Sequence, residues 1–229
     1  MTKPRSFRYV GTLRGIRELG LVGDADLGLW RERMSGSGAA PIDVDGRAQV
    51  LVTGLASSWM GLAYREIAIA VSARQGEDRE GYYFERAFNA SRFFTFFEQR
   101  WFHTPYVLRP DVHIEGGTPG APFRASLGEP GRPGFVAELA PRDPSRVEDV
   151  ALEAPLLLPA DGGGAGRWFH VKLEGRTESF DFDATRDRFV VGEPAPHPSL
   201  EALRTTGFEP REWQVRRSAL HARTKTFGP

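Results

Sequence analysis

A single carboxylate, Glu66, interrupts the otherwise largely apolar stretch GLAYREIAIAVSA at residues 61–73. Strict alternation predicts a strand in which Tyr64, Glu66, Ala68 and Ala70 share one face. If that face lines the inside of a closed sheet, the alanines leave a cavity with a carboxylate in its wall. Such a carboxylate needs a partner or a raised pKa, because an isolated buried charge is too costly. The alternation leaves the alternative equally open, in which the opposite face covers the core and Glu66 lies in solvent.

A second group of chemically capable side chains lies in FFTFFEQRWFHTPYVL, residues 93–108. Arg100 is the expected partner of Glu66 and could clamp an anion with two parallel hydrogen bonds. Tyr106 follows a proline directly and could donate a hydrogen bond to a carbonyl oxygen or act as a general acid, as could His103. We therefore predict Glu66, Arg100 and Tyr106 as catalytic residues. Tyr64, Trp101, His103 and Lys172 are predicted to contact the ligand.

Amine chemistry has few candidates, because only three of the 30 basic residues are lysines: Lys3, Lys172 and Lys225. Arginine does not deprotonate in proteins and cannot replace them as a nucleophile. In RWFHVKLEG, Lys172 shares a strand face with His170 and Glu174. That face is typical of a solvated surface. The alternative is that Lys172 projects into a cavity, where desolvation lowers its pKa and yields a nucleophilic amine.

Other classes of chemistry find little support in the sequence. Cysteine is absent, and the five histidines show no HxxxH or HxH pairing, so we expect neither a metal nor any other cofactor. DGGGAG, which holds the glycines at 162–164, lacks the Lys-Ser/Thr of a phosphate loop and is expected to be a flexible turn. The 30 basic and 30 acidic residues balance, which argues against nucleic acid or an anionic membrane as a partner.

The elements that would position these residues are mostly short strands. Helices are predicted at GDADLGLWRERM with Asp24 as the cap, at the aromatic segment after Asn89, and from Ser199 to Thr206. Phe93, Phe96, Phe97 and Trp101 form the predicted core stripe of the second helix. Strands are predicted by alternation in eight segments: 48–56, 61–73, GYYFERAF, VLRPDVHIE, 134–140, RWFHVKLEG, a hairpin in ESFDFDATRDRFVV, and EWQVRRSALHARTKTF.

This order of elements predicts a mainly β, β-rich α+β fold. Many short strands with few helices indicate a large antiparallel sheet that is closed on itself or packed as a sandwich. No repeat or linker divides the chain, so residues 1–229 are predicted to form a single domain. The N-terminal segment lacks the apolar core of a signal peptide and no run is long enough to span a membrane, which favours a cytoplasmic location.

The motifs resemble those of the acetoacetate decarboxylase-like superfamily. A Gly-x-x-Tyr-x-Glu strand (Gly61, Tyr64, Glu66) is followed by a second strand and then by a charged helix that ends before a proline and a tyrosine. The sequence is especially similar to the uncharacterised bacterial branch of that superfamily. The resemblance is clearest over residues 48–115 and rests on short motifs. It implies a large antiparallel, barrel-like sheet with peripheral helices and a central pocket.

The resemblance also implies a missing nucleophile. Members with known chemistry form a Schiff base between a keto acid and a lysine that directly follows the proline. In this chain the corresponding residue is Tyr106, followed by Val107, and neither can form an imine. Lysine-dependent decarboxylation is therefore in doubt at this position.

Three functions remain open at the level of sequence. The first is a pocket protein for a small anionic or carbonyl-bearing molecule, with lyase-like or isomerase-like acid/base chemistry if it is an enzyme. The second is an imine-forming decarboxylase or aldolase that uses Lys172, and the third is a non-catalytic ligand-binding module. Aromatic strands are compatible with a homo-oligomer, although no feature specifies one.

Overall fold

The computed structural model describes residues 7–77, 79–129, 131–159 and 166–228. The glycines at 162–164 lie outside the described residues. The described residues form three helices, α1 (Leu27–Arg33), α2 (Arg92–Arg100) and α3 (Pro198–Thr205). The strands are β1 (Tyr9–Asp26), β2 (Ala40–Pro41), β3 (Asp43–Val44), β4 (Arg47–Trp59), β5 (Leu62–Gln75), β6 (Arg79–Asn89), β7 (Tyr106–Leu108), β8 (Val112–Glu115), β9 (Phe123–Glu129), β10 (Arg132–Leu139), β11 (Arg146–Leu157), β12 (Trp168–Asp181), β13 (Arg188–Val191) and β14 (Glu209–Thr224).

The larger sheet closes on itself. Its strand order is β2-β5-β4-β1-β14-β12-β11-β6-β7, and β5 also pairs with β6, so that the path from β5 round to β6 is a closed circuit. The pairings are antiparallel except for the parallel contacts of β6 with β11 and with β7. The predicted β-rich fold with a barrel-like sheet and a few helices is therefore confirmed, with two parallel pairings added.

Part of the outer face of this sheet is buried as well, because a second sheet covers it. The second sheet has the order β13-β10-β9-β8. The apolar side chains of the second sheet, Phe123 and Phe135 among them, form one core with Ile67 of β5. Trp30 of α1 and Leu200 of α3 belong to the same core. We call the face that carries Ile67 the outer face. The opposite face, which carries Glu66, is the inner face.

The inner face has two smaller apolar clusters. The first joins Ala68 and Ala70 to Phe84, Tyr106 and Phe169. The second consists of buried residues from four strands: Ile16, Leu55, Tyr64 and Ala219. Leu13, Phe94 and Leu173 are partly buried and pack against it. The alanines predicted to leave a hollow beside Glu66 instead accommodate aromatic rings, because the small side chains allow Tyr106 and Phe84 to approach β5.

The predicted orientation of α2 is wrong. Phe93, Phe96 and Trp101 are exposed, and the one fully buried side chain of the helix is Thr95. The helix begins after Ser91, whose hydroxyl caps Phe94, whereas Asn89 accepts from the backbone of Ser91. Hydrophobic periodicity could not identify the inward side here, because the helix directs polar groups at the inner face. None of the helices among the described residues is long and apolar enough to cross a bilayer.

Several strand assignments also differ from the prediction. VLRPDVHIE is two strands in different sheets, β7 and β8, because Arg109–Asp111 form the crossing between them. The predicted hairpin at Asp183 is a crossing too, since β12 lies in the large sheet and β13 pairs with β10. The strands that had no sequence prediction are β1, β2, β3, β9 and β11. α1 is capped by Asp26 rather than Asp24.

Candidate active site

Glu66 lies inside the closed sheet, in a row of cross-strand partners that runs over six neighbouring strands. Its Cα partner on β4 is Leu55 and its partner on β6 is Asn89. Only 3% of the glutamate is exposed. Directly opposite residues of antiparallel strands point to the same side of the sheet, so this row projects into the interior. The structure thus chooses the enclosed alternative for Glu66.

Two phenols surround the Glu66 carboxylate. The Tyr64 hydroxyl donates a short hydrogen bond to Oε2 of Glu66 and lies 3.2 Å from the hydroxyl of Tyr106. Both tyrosines are buried. A carboxyl group and two phenols therefore form one contiguous polar cluster, which we call the carboxyl–phenol cluster (Tyr64, Glu66 and Tyr106).

Burial controls the protonation of this cluster. Removal from water raises the pKa of Glu66 above its ordinary value, although hydrogen bonds from Tyr106 and Tyr64 favour the carboxylate and moderate the rise. Burial and the nearby Glu66 charge raise the pKa of both Tyr64 and Tyr106 well above 10. The phenols are thus donors at neutral pH, and burial favours the protonated form of the carboxyl group.

Asn89 completes the surroundings of Glu66 on the β6 side. It is fully buried, and its side-chain oxygen accepts from the backbone of Ser91 at 2.8 Å. Its Nδ2 is near enough to favour the ionised form of Glu66, yet it makes no hydrogen bond of ordinary geometry within the described chain. A buried amide donor without a full partner is uncommon and marks a place where an acceptor atom of a ligand would be stabilised.

The proline junction positions Tyr106. Beyond α2, the Thr104 hydroxyl bonds to the carbonyl of Glu98 at 2.9 Å, and the Pro105 carbonyl accepts from Ala87 at 3.2 Å. Tyr106 then pairs with Ala87 in register. Because Ala87 is also the partner of Ala68 on β5, two alanines leave room for the phenol to reach towards Glu66.

Arg100 does not reach the cluster, which corrects the prediction of a Glu66–Arg100 pair. It is the last residue of α2 and is exposed to solvent. The side of α2 that faces the interior carries Thr95 and Glu98. Residues two apart on a helix point in nearly opposite directions, so Arg100 is turned away when Glu98 points inward.

The predicted ligand contacts of Trp101 and His103 are also wrong, because both side chains lie at the surface. Trp101 is 56% exposed, and its ring stacks on Phe97 at the surface. His103 is exposed and has a positive φ of 53°. Both residues lie in the irregular turn between α2 and Pro105, whose conformation the sequence did not specify. Of the predicted contact residues, Tyr64 alone joins Glu66.

Lys172 lies on the outside of the closed sheet. Its neighbours Phe169 and Val171 contribute to the inner cluster around Tyr106, whereas the lysine ammonium pairs with Glu174 at 2.6 Å. The hydrogen bond to Glu174 raises the pKa of Lys172. This shift is opposite to the one that an imine-forming lysine requires, so the structure favours the solvated-face alternative.

A partly buried guanidinium does face the interior, but it belongs to Arg223 of β14. It forms an ion pair with Glu98 and lies over the rings of Phe102 and Phe169, 4.1 Å and 3.9 Å from their centroids. Glu98 also accepts from Thr104 at 2.6 Å. The Glu98 charge acts through space to raise the pKa of Glu66, which links this pair electrostatically to the carboxyl–phenol cluster.

A second interior carboxylate, Glu18, was also missed. Its carboxylate bonds to Arg216 at 3.1 Å and to His221 at 3.0 Å, and Arg216 in turn donates to Thr177 at 2.9 Å. Burial opposes ionisation, but His221 and Arg216 outweigh it and lower the pKa of Glu18 to about 2. Glu18 is the Cα partner of Leu55, as is Glu66. The two carboxyl groups thus face the same interior with opposite pKa shifts.

Alternation within SALHART was the available signal for the missed basic residues. Ala219, His221 and Arg223 are two residues apart and share the inner face. Glu18 carried a weaker signal, since a charged residue between Arg17 and Leu19 is ordinary in an edge strand. Within the described part of the chain, no three His, Asp or Glu side chains come together in a set that could hold a metal ion.

The β-rich fold of this chain, with its large closed sheet, is similar to the fold of acetoacetate decarboxylase-like structures. An acetoacetate decarboxylase from Legionella pneumophila subsp. pneumophila str. Philadelphia 1 matches all of this chain and 92% of its own, with a TM-score of 0.63 and 12% identity. An acetoacetate decarboxylase-like enzyme from Sphingomonas wittichii RW1 matches 95% of this chain and 92% of its own, with a TM-score of 0.57 and 16% identity.

A third similar structure is the enduracididine biosynthesis enzyme MppR, complexed with the condensation product of pyruvate and imidazole 4-carboxaldehyde. It matches 93% of this chain and 86% of its own, with a TM-score of 0.59 and 16% identity. No protein-family model matches the sequence, and no curated protein matches it either. At these identities the comparisons establish a shared fold, and the chemistry has to be argued from the residues of this chain.

Proposed function

We propose that the protein binds a small carbonyl-bearing acid at the carboxyl–phenol cluster and catalyses lyase-like or isomerase-like proton transfer there without a Schiff base. The observation that carries the proposal is the contact of the buried Glu66 carboxyl group with the phenols of Tyr64 and Tyr106. An enclosed carboxyl group with a raised pKa is a typical general acid or base near neutral pH.

Each group has a defined part in the proposed reaction. The Glu66 carboxylate removes a proton from the carbon next to the substrate carbonyl, and the electron pair of that C–H bond moves to form an enolate. When the substrate binds, the phenols of Tyr64 and Tyr106 exchange their hydrogen bonds within the cluster for hydrogen bonds to the oxygen on which negative charge develops, and Nδ2 of Asn89 donates another. The carboxylic acid then returns its proton to the same or a neighbouring carbon. The phenols suit this part because their raised pKa values keep them protonated.

The choice of an oxo acid as substrate has two supports. One MppR structure, which has this fold, is complexed with pyruvate, with a TM-score of 0.53 to this chain. In this chain, Arg223 provides an interior guanidinium 3.9 Å from the ring of Phe169, a partner of Tyr106 in one cluster. Its carboxylate partner, Glu98, would have to share it with the substrate.

The experiment that tests the proposal is solvent deuterium exchange. Pyruvate, 2-oxobutyrate and acetoacetate are incubated with the protein in D2O, and loss of the protons next to the carbonyl is followed by NMR. We expect exchange with at least one compound and a loss of roughly 100-fold or more in Glu66→Gln, the range for removing a general base. Lys172→Met should retain the wild-type rate, and borohydride treatment should leave no adduct on Lys172. Binding without exchange would instead favour the non-catalytic module.

Glu66→Gln is expected to fold and to gain stability at alkaline pH. The folded-state pKa of Glu66 is raised above the unfolded value, so the folded state binds the extra proton and wild-type stability falls as pH rises between the two values. Glutamine does not titrate. The melting temperature of Glu66→Gln should therefore exceed that of the wild type by more at pH 8 than at pH 4. Each 1 kcal/mol of difference in stability corresponds to roughly 2–4 °C in melting temperature for a chain of this size. An equal difference at both pH values would contradict the raised pKa.

A further inference from the structure

A cleft of about 630 Å³ opens on the outer face of the large sheet, away from the interior of the carboxyl–phenol cluster. Its volume falls within the range of small-molecule sites. Strands β1, β4 and β5 contribute its walls, and Ile114 of β8 contributes an apolar contact. The charged residues of the lining are Arg17 and Arg65, and the lining contains no carboxylate.

The two arginines are held on either side of one alanine. Arg17 of β1 and Arg65 of β5 are both Cα partners of Ala56 on β4, the strand between them. Cross-strand partners lie about 5 Å apart and point to the same side, so the two guanidinium groups rise from positions about 10 Å apart. The alanine methyl group leaves the space between them open.

Nothing in the described chain neutralises this pair of positive charges. Arg17 donates to the carbonyl of Gly116 at 2.6 Å, which fixes its orientation, and has no carboxylate partner among the described residues. Arg65, half-buried, forms no side-chain hydrogen bond or ion pair within that same part of the chain. Arginines elsewhere, such as Arg74 and Arg217, are paired with glutamates. Like charges about 10 Å apart repel each other at low ionic strength, and an anion bound between them would be attracted by both.

We propose that this cleft binds a small organic anion, with its carboxylate or phosphate group between the guanidinium groups of Arg17 and Arg65. The carbon skeleton would lie on Ala56 and Ile114, and the hydroxyl groups of Ser57 and Ser58 border the same space. The site is separate from the proposed acid/base chemistry, although Tyr64 lines the cleft and also bonds to Glu66.

Isothermal titration calorimetry at pH 8 and low ionic strength tests the proposal with three probes: inorganic phosphate, succinate and the neutral analogue succinamide. We expect saturable binding of at least one dianion at a single site and no binding of succinamide. Arg17→Gln and Arg65→Gln should each raise the dissociation constant about tenfold or more, as expected for loss of a charge-assisted hydrogen bond. The preferred dianion identifies the group, phosphate or carboxylate, that the cleft recognises.

Arg74→Gln is the matched control, because Arg74 lies on the same strand about 30 Å from Arg65 and its loss also removes one positive charge. It should bind as the wild type does. The proposal is overturned if neither dianion binds to the wild-type protein, or if Arg17→Gln and Arg65→Gln bind with unchanged affinity. Because the measurement is binding and uses no turnover, its outcome does not depend on the activity proposed for Glu66.

Discussion

At the scale of single residues, two interior carboxyl groups have opposite pKa shifts because their surroundings differ. Glu18 has two basic neighbours and a pKa of about 2, whereas Glu66 has phenols as neighbours and a raised pKa. Leu55 stands between them on β4. Groups whose environments move their pKa values apart can take different parts in one site. Here the ionised Glu18 stabilises the fold, and Glu66 is the group that we propose exchanges a proton.

Glu18→Gln should therefore reduce stability in a pH-dependent way. The pKa of Glu18 falls from its ordinary 4.5 to about 2 on folding, which corresponds to roughly 3 kcal/mol of stability. This contribution is complete above pH 4.5 and is lost as the pH falls through the folded-state value. Urea denaturation at pH 7 should give a difference of about 3–5 kcal/mol, since Arg216 is left buried without its partner.

The same difference should shrink markedly at pH 3, where part of the wild-type contribution is gone. Glu148→Gln is the control, because Glu148 pairs with Arg146 at 3.6 Å on the surface. It should change stability by less than about 1 kcal/mol at either pH. A constant difference between Glu18→Gln and the wild type from pH 7 to pH 3 would contradict the lowered pKa.

At the scale of elements, α2 combines an aromatic solvent side with a polar inner side. Its inner residues are Thr95 and Glu98, and Glu98 binds both Arg223 and Thr104. Those contacts connect the helix to β14 and to the junction before Tyr106. The helix therefore acts as a support for the phenol, and Phe94 is the aromatic residue of the helix that packs against an inner cluster.

Substitutions on the two sides of α2 should thus have unequal effects. Phe96→Gln should change the free energy of unfolding by no more than about 0.5 kcal/mol, because Phe96 is 55% exposed. Glu98→Gln should cost about 2–4 kcal/mol, since it leaves the enclosed guanidinium of Arg223 without its charge partner. Urea denaturation of both variants checks the ranking. A larger loss of stability from Phe96→Gln would instead support the predicted orientation of α2, in which the aromatic stripe packs in the core.

At the scale of the whole molecule, the closed sheet and the second sheet meet at very small side chains. A Cβ atom added at Gly54 of β4 would lie 2.6 Å from the Cβ of Ala125 on β9. Ala125 is buried in the core between the sheets. This close approach fixes how the second sheet covers the outer face, and with it the burial of the strand that carries Glu66.

Gly54→Ala should destabilise the protein by about 1–3 kcal/mol through this overpacking. The double variant Gly54→Ala/Ala125→Gly removes the opposing methyl group and should recover part of the loss. Thermal denaturation of the four proteins in the cycle gives the coupling between the positions. Additive effects in the double variant would show that the two sheets do not meet at this pair.

The sequence by itself determined the β-rich class, the strand that carries Glu66 and the face that Glu66 shares with Tyr64, because side-chain alternation is a local property. It also predicted Tyr106 beside Glu66, through the order of motifs around Pro105. Tertiary structure decided which guanidinium lies inside, since that depends on how α2 rotates and on strands more than 100 residues away. Arg100 was adjacent in sequence to the motif, but the sheet closure brings Arg223 and Glu18 to the interior instead. Pairings between distant strands cannot be read from local periodicity, and they fix both the interior and the arginine-lined cleft.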